Sequence, residues 1–181
     1  LGTSQFTTQG LLFGTDTVTS VTLSSPGESR YADVSNYAIT PSAAVGTRLS
    51  NYTIEYKDGN LRVNPASLII GANPQVKEYG ETFTFNGTEF YSIGLKNNEQ
   101  ITSVDLSSNG ANRYADASLL PYKINISNAQ GTLDADNLGF KPSNYNILYV
   151  PGAMFVTPAP LTITIRNQEK EYGEGFVFNG T

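Results

Sequence analysis

The chain has 181 residues and a formal net charge of −5, from 11 Lys and Arg against 16 Asp and Glu; 39% of the residues are hydrophobic and 15% are charged. That length supports one or two domains with cores of their own, and the composition is too apolar and too weakly charged for intrinsic disorder. Without a single Cys or His, the chain has no disulfides, no thiolate chemistry, no Cys/His zinc site and no His general base; its acidic balance argues against a nucleic-acid partner, and no apolar run approaches the ~20 residues of a membrane-spanning helix.

Taken in chain order, the apolar pattern has a period of two, not 3.6. Strands are predicted over 17–23 and 37–40, then in the alternating runs 51–56 and 61–63. Asp58-Gly59 between the last two is a hairpin signal, because a type I′ turn needs positive φ at its central residues. Further strands are predicted over 68–70, 101–106, 121–126, 146–149, 153–156 and 161–165, and 82–85 alternates with Phe83 and Phe85 on one face. Pro151-Gly152 is the second hairpin signal. Turn clusters such as Ser25-Pro26-Gly27 and Ser108-Asn109-Gly110 separate the strands. No window predicts more than a single helical turn, near Tyr31-Ala32-Asp33 and Tyr114-Ala115-Asp116. Short strands at turn-punctuated spacing predict an all-β fold, an Ig-like β-sandwich, with a β-grasp arrangement as the alternative.

The chain also repeats itself. Val76-Lys-Glu-Tyr-Gly-Glu-Thr-Phe-Thr-Phe-Asn-Gly-Thr88 returns as Glu169-Lys-Glu-Tyr-Gly-Glu-Gly-Phe-Val-Phe-Asn-Gly-Thr181, so that 93 positions separate Tyr79 from Tyr172. The same offset pairs Asn51-Tyr52-Thr53-Ile54 with Asn144-Tyr145-Asn146-Ile147, and Val63-Asn64-Pro65-Ala66 with Val156-Thr157-Pro158-Ala159. Ser20–Ser25 and Arg30-Tyr31-Ala32-Asp33 return 83 positions later, at Ser103–Ser108 and Arg113-Tyr114-Ala115-Asp116. An insertion around 131–141 of the second copy accounts for the difference. Two tandem domains are expected, at 1–88 and 89–181, with Pro65 and Pro158 where a strand bends between sheets; the alternative phase puts boundaries near 66/67 and 159/160.

The order of these blocks resembles the MBG repeats of the Tyr-Gly-X type, which occur in long tandem arrays in bacterial surface adhesins and filamentous-haemagglutinin-like proteins. The matching residues are the Leu161-Thr-Ile-Thr164 strand, Lys170-Glu-Tyr-Gly-Glu174, Asn144-Tyr145-Asn146-Ile147, Gly152 and Val156-Thr157-Pro158-Ala159, with Lys77-Glu-Tyr-Gly-Glu81 and Val63-Asn64-Pro65-Ala66 in the first copy. The Arg-Tyr-Ala-Asp block departs from the pattern, and Val45-Gly46-Thr47 lacks the Tyr common after it. The resemblance implies an extracellular location at a bacterial cell surface and a structural or adhesive role, with no catalytic residues and no cofactor. Partners implied are the neighbouring repeats and a host glycan or surface protein met through other parts of a longer protein. Any signal peptide is expected to lie outside this stretch.

The candidate residues are structural. Arg30 with Asp33, and Arg113 with Asp116, read as ion pairs bracing a turn, with Tyr31 and Tyr114 packed inward. Tyr79-Gly80 and Tyr172-Gly173 read as tight turns with a packed ring, Gly supplying positive φ. Asp134, Asp136 and Asn137 form an acidic cluster that fails the EF-hand pattern, because Tyr145 stands where a bidentate Glu is needed; a simpler calcium site is the alternative to a solvated loop tip. Lys77 and Lys170 are the recurring lysines for a Lys–Asn isopeptide crosslink. No spacing places two carboxylates together in a cleft, so an enzyme is not expected.

Overall fold

The computed structural model describes residues 5–10, 12–134 and 136–180. The fold is all-β: helical structure among these residues consists of four three-residue 3-10 turns, so no helical layer covers a sheet. Strands β1 (Val18–Ser24), β2 (Ser35–Gly46) and β3 (Gly59–Val63) form an antiparallel sheet in the order β1-β2-β3. The remaining strands are β4 (Ala66–Ala72), β5 (Gln75–Glu78), β6 (Phe90–Ile93), β7 (Ile101–Ser107), β8 (Tyr122–Gly131), β9 (Tyr145–Val150) and β10 (Gly152–Thr157). They form two sheets, β6-β4-β9 and β5-β10-β8-β7. Each contains one parallel pair, β4 with β9 and β5 with β10, and the other pairs are antiparallel.

One core lies between these two sheets. Leu68, Ile70 and Ala72 of β4 meet Val104 of β7, Ile124, Ile126 and Ala129 of β8, and Met154 of β10, closed by Phe140 and Tyr145. The inward positions of β8 step by two from Ile124 to Ile126 and then by three to Ala129. Asn128, at φ 52, is the cause: a left-handed residue inserts a bulge and reverses which face follows. Ala43 (φ 46) does the same in β2. In each case a tyrosine hydroxyl takes the next amide, Tyr56 from Ala44 at 2.8 Å and Tyr149 from Ala129 at 3.0 Å.

The pairing does not divide at 88/89. β4 and β5 hydrogen-bond to β9 and β10, so residues 66–157 share two sheets, and the change of sheet falls between Val63 and Ala66, at Asn64-Pro65. The bends between sheets lie at Asn73-Pro74 and at Pro151, each joining strands of different sheets, and not at Pro65 or Pro158. Residues 1–4 and 181 of the expected units lie outside the described residues.

Neither hairpin signal closes a hairpin. β9 and β10 flank Pro151 but pair in different sheets, and β3 starts at Gly59 and pairs with β2. Three alternating runs are not strands: 51–56, 82–85 and 161–165. A strand needs a neighbouring ladder to satisfy its backbone. Residues 82–85 have one such bond, from the Phe83 amide to the Ala111 carbonyl at 2.9 Å.

Candidate functional site

The block Arg30-Tyr31-Ala32-Asp33 is placed by a short 3-10 turn, Pro26–Glu28, whose preceding Ser25 accepts from the Gly27 amide at 3.2 Å. Gly27 is needed because the Tyr37 ring lies flat against it, and a Cβ there would come within 2.6 Å of the ring. The Tyr37 hydroxyl donates to the Asp33 carbonyl at 2.8 Å and fixes the end of the block. The second copy repeats this: Ser108 caps Asn109–Ala111, Tyr122 covers Gly110, and the Tyr122 hydroxyl donates to the Asp116 carbonyl at 3.1 Å.

The expected ion pairs within the block do not form. Asp33 reaches across to the second unit, where its carboxylate accepts from Lys141 Nζ at 2.9 and 3.1 Å and from Asn144 Nδ2 at 2.8 Å. Asn144 Oδ1 in turn accepts from the Val34 amide at 2.9 Å. Arg30 Nε donates to Asn97 Oδ1 at 3.1 Å, and Asn97 returns a bond to the Arg30 carbonyl at 3.2 Å. The hydrogen bonds from Asn144 and Lys141 hold the Asp33 carboxyl below its ordinary value, against a smaller opposing push from desolvation. Side-chain reach explains the difference from expectation, since the repeat had shown the block but not its partners, which lie about 65–110 residues away. An open groove at this joint is lined by Tyr31, Asp33, Asn97, Leu138, Lys141 and Asn144. Leu138 comes from the insertion of the second copy.

Tyr31 is half exposed, with the Arg30 guanidinium over its ring at 5.3 Å, and Arg113 covers the still more exposed Tyr114 at the same distance. Neither ring is packed inward. Among the described residues, the side chains of Arg113 and Asp116 make no ion pair or hydrogen bond.

Behind the joint, Tyr145 donates to Glu99 Oε2 at 2.7 Å and accepts from the Lys96 amide at 2.9 Å. Tyr52 makes the same pair of bonds in the first unit, to Asp16 Oδ2 at 2.9 Å and from the Phe13 amide at 3.0 Å. Burial first, then the bond to Glu99, pushes the Tyr145 phenol up to about 12. Its neutral ring therefore contributes stability in full below the unfolded value near 10, and that contribution is lost as pH rises through about 12. Tyr145→Phe is expected to remove the latest step of an alkaline titration followed at 295 nm; an unchanged final step would refute the assignment.

The Tyr-Gly turns form as predicted in backbone. Gly80 and Gly173 sit at φ 93 and φ 90. Lys77 Nζ donates to the Glu81 carbonyl and Lys170 Nζ to the Glu174 carbonyl, both at 2.9 Å. The rings are not packed: Tyr79 is half exposed and Tyr172 fully so. The acidic cluster forms the tip of the insertion, where Asp134 Oδ1 accepts from the amides of Asp136 and Leu138 at 3.0 and 2.8 Å. Ala135 lies outside the described residues. Asn137 adopts a left-handed φ of 58, and no group of three or more His, Cys, Asp or Glu side chains gathers around a metal position among the described residues.

Sequence reasoning missed Asn97, Lys141 and Asn144 as joint residues. The available signal was positional: Arg48 and Asn51 stand at the places of Lys141 and Asn144 in the repeat.

Comparison with known families then identifies the unit. Residues 2–62 match the family model of the MBG domain, YGX type. The match covers the first MBG unit, and the internal repeat extends the same pattern into 66–157. No curated protein and no solved structure matches the chain. No helix among the described residues is long and apolar enough to cross a membrane.

Proposed function

We propose that the chain is part of a stalk: tandem MBG units of an extracellular bacterial adhesin or cell-surface protein that project a binding region away from the cell. The observation that carries this reading is the joint. Asp33, Lys141 and Asn144 tie consecutive units side chain to side chain across the Pro65 linker, which suits a spacer that must hold its direction. Stacked repeats draw stability and shape from such neighbour contacts. Under this reading the chain has no catalytic role and no cofactor, and its partners are neighbouring repeats, with a host glycan or surface protein met elsewhere in the longer protein.

Asp33→Ala tests it. Because the pair is partly exposed, its loss is expected to cost at most about 1 kcal/mol of stability, while residual dipolar couplings show the two units losing their common orientation. The Asp33 value is depressed, so the joint holds above the usual carboxylate range near 3.9 and loosens as pH falls through the lower folded value. Units that tumble independently in the unaltered chain at neutral pH would sink the reading. A second reading, glycan or host-protein binding, draws on half-exposed Tyr31 beside Asn97 in the joint groove. Specific hits on a glycan array, lost in Tyr31→Ala, would favour it.

A further inference from the structure

We propose that the segment 159–171 of one chain adds itself as a strand to the first unit of a second copy, so that this chain assembles head to tail. The inference rests on the repeat and on the strand register of the second unit, and not on the stalk reading above.

Two unpartnered features of the described chain are complementary. The first is the run Leu161-Thr-Ile-Thr-Ile165. It has strand chemistry, yet no strand forms there and its apolar side chains stand in solvent: Leu161 is 84% exposed and Ile163 78%. The second is the stretch 52–58 of the first unit, which is extended but lies in no sheet, with Ile54 and Tyr56 exposed. In the second unit the counterparts of these two features are β4 and β9. They pair in parallel, Leu68 opposite Ile147 and Ile70 opposite Tyr149, and bury Leu68 and Ile70 completely.

Moving that register by 93 positions places Leu161 opposite Ile54 and Ile163 opposite Tyr56. Continuing it, the pairing of β5 with β10 sets Lys170 opposite Val63 and Glu169 opposite Arg62. The last pair is the decisive one. Its counterpart in the second unit is Val76 opposite Phe155, two apolar side chains on one face. Here both have changed together, to Glu169 and Arg62. An apolar cross-strand pair has become an oppositely charged one, which keeps the same two positions compatible. On the outer face, Ile69 opposite Leu148 becomes Thr162 opposite Glu55, polar on both sides. Gly10 belongs to the same picture. It is the counterpart of Gly94, whose missing Cβ makes room for the Ser67 carbonyl of β4, and it lies with nothing within 4 Å. Pro160 is the residue that the register brings to it.

Strand addition of this kind supplies main-chain bonds for affinity and alternate side chains for register. The donor follows β10 in the second unit, and the acceptor lies in the first unit, so each copy both gives and receives. Such a heterologous contact does not close on itself and extends into open chains.

The absence of cysteine makes the test direct. A Leu161→Cys chain mixed with an Ile54→Cys chain is expected to form a disulfide-linked pair on mild oxidation, since neighbouring strands bring Cα atoms within disulfide range. Adding Ile163→Pro to the first chain should abolish the link, because proline removes a ladder donor. That residue lies outside every sheet, so the melting curve of the monomer should not move. Sedimentation of the unaltered chain should show mass rising with concentration, and Ile163→Pro should hold it at the monomer. A monomer at every concentration, a link that survives Ile163→Pro, or a link that forms only within one chain carrying both cysteines would each overturn the proposal. All three would leave the joint at Asp33 untouched.

Discussion

Ile124→Ala is expected to lower the stability of the second unit by about 2–5 kcal/mol, seen as an earlier urea midpoint at unchanged slope. Ile124 is fully buried at the centre of β8, among Leu68, Ile70 and Met154, and its strand pairs with both β7 and β10. Neighbours held on both sides cannot collapse into the space a lost side chain leaves. The magnitude follows from the position and not from the residue type. Ile163→Ala removes the same atoms from a solvated site, and should move the monomer's stability by less than about 0.5 kcal/mol. Equal effects from the two substitutions would mean that the core does not lie between the β6-β4-β9 and β5-β10-β8-β7 sheets.

Gly94→Ala is the second large effect. Gly94 has φ 112, where an L side chain is strained, and an added Cβ would stand 2.5 Å from the Ser67 carbonyl oxygen. The backbone strain alone is worth about 1–3 kcal/mol. The overlap adds to it, because the opposing atom belongs to β4 and cannot swing away as a side chain would. Gly10→Ala at the matching place of the first unit meets the same φ, 111, with open space around it. It should cost the strain term only. The difference between the two melting shifts therefore measures the contact with β4; a Gly10→Ala effect as large as that of Gly94→Ala would show that φ, and not the approach of Ser67, sets the cost.

The strands that the alternation located correctly are those with a neighbour. Runs 68–70, 101–106, 121–126 and 153–156 all fall inside sheet strands, extended by a few residues at their ends. The bulges at Ala43 and Asn128 were not legible, since neither Ala nor the Asn in Ser-Asn-Ala announces a left-handed φ on its own. The joint was half legible. The repeated Arg-Tyr-Ala-Asp block pointed to Arg30 and Asp33, but a local ion pair and a distant one leave the same trace in a sequence. Choosing between them needs the position of Lys141, 108 residues further on.

What the sequence determined by itself is whatever a few consecutive residues can close. Lys-Glu-Tyr-Gly-Glu makes the same lysine-to-carbonyl bond and the same left-handed glycine at 77–81, beside a sheet, and at 170–174, beside none. Phe83 with Phe85 and Phe176 with Phe178 meet edge to face at 5.0 and 5.1 Å in both settings. Those contacts span two to four residues and carry their own geometry. The tertiary structure alone decided which alternating runs are strands and where the units divide. Leu68-Ile-Ile and Leu161-Thr-Ile share a pattern, yet only the first has β9 and β6 on either side. A ladder hydrogen bond belongs to two segments at once, so no reading of one of them contains it.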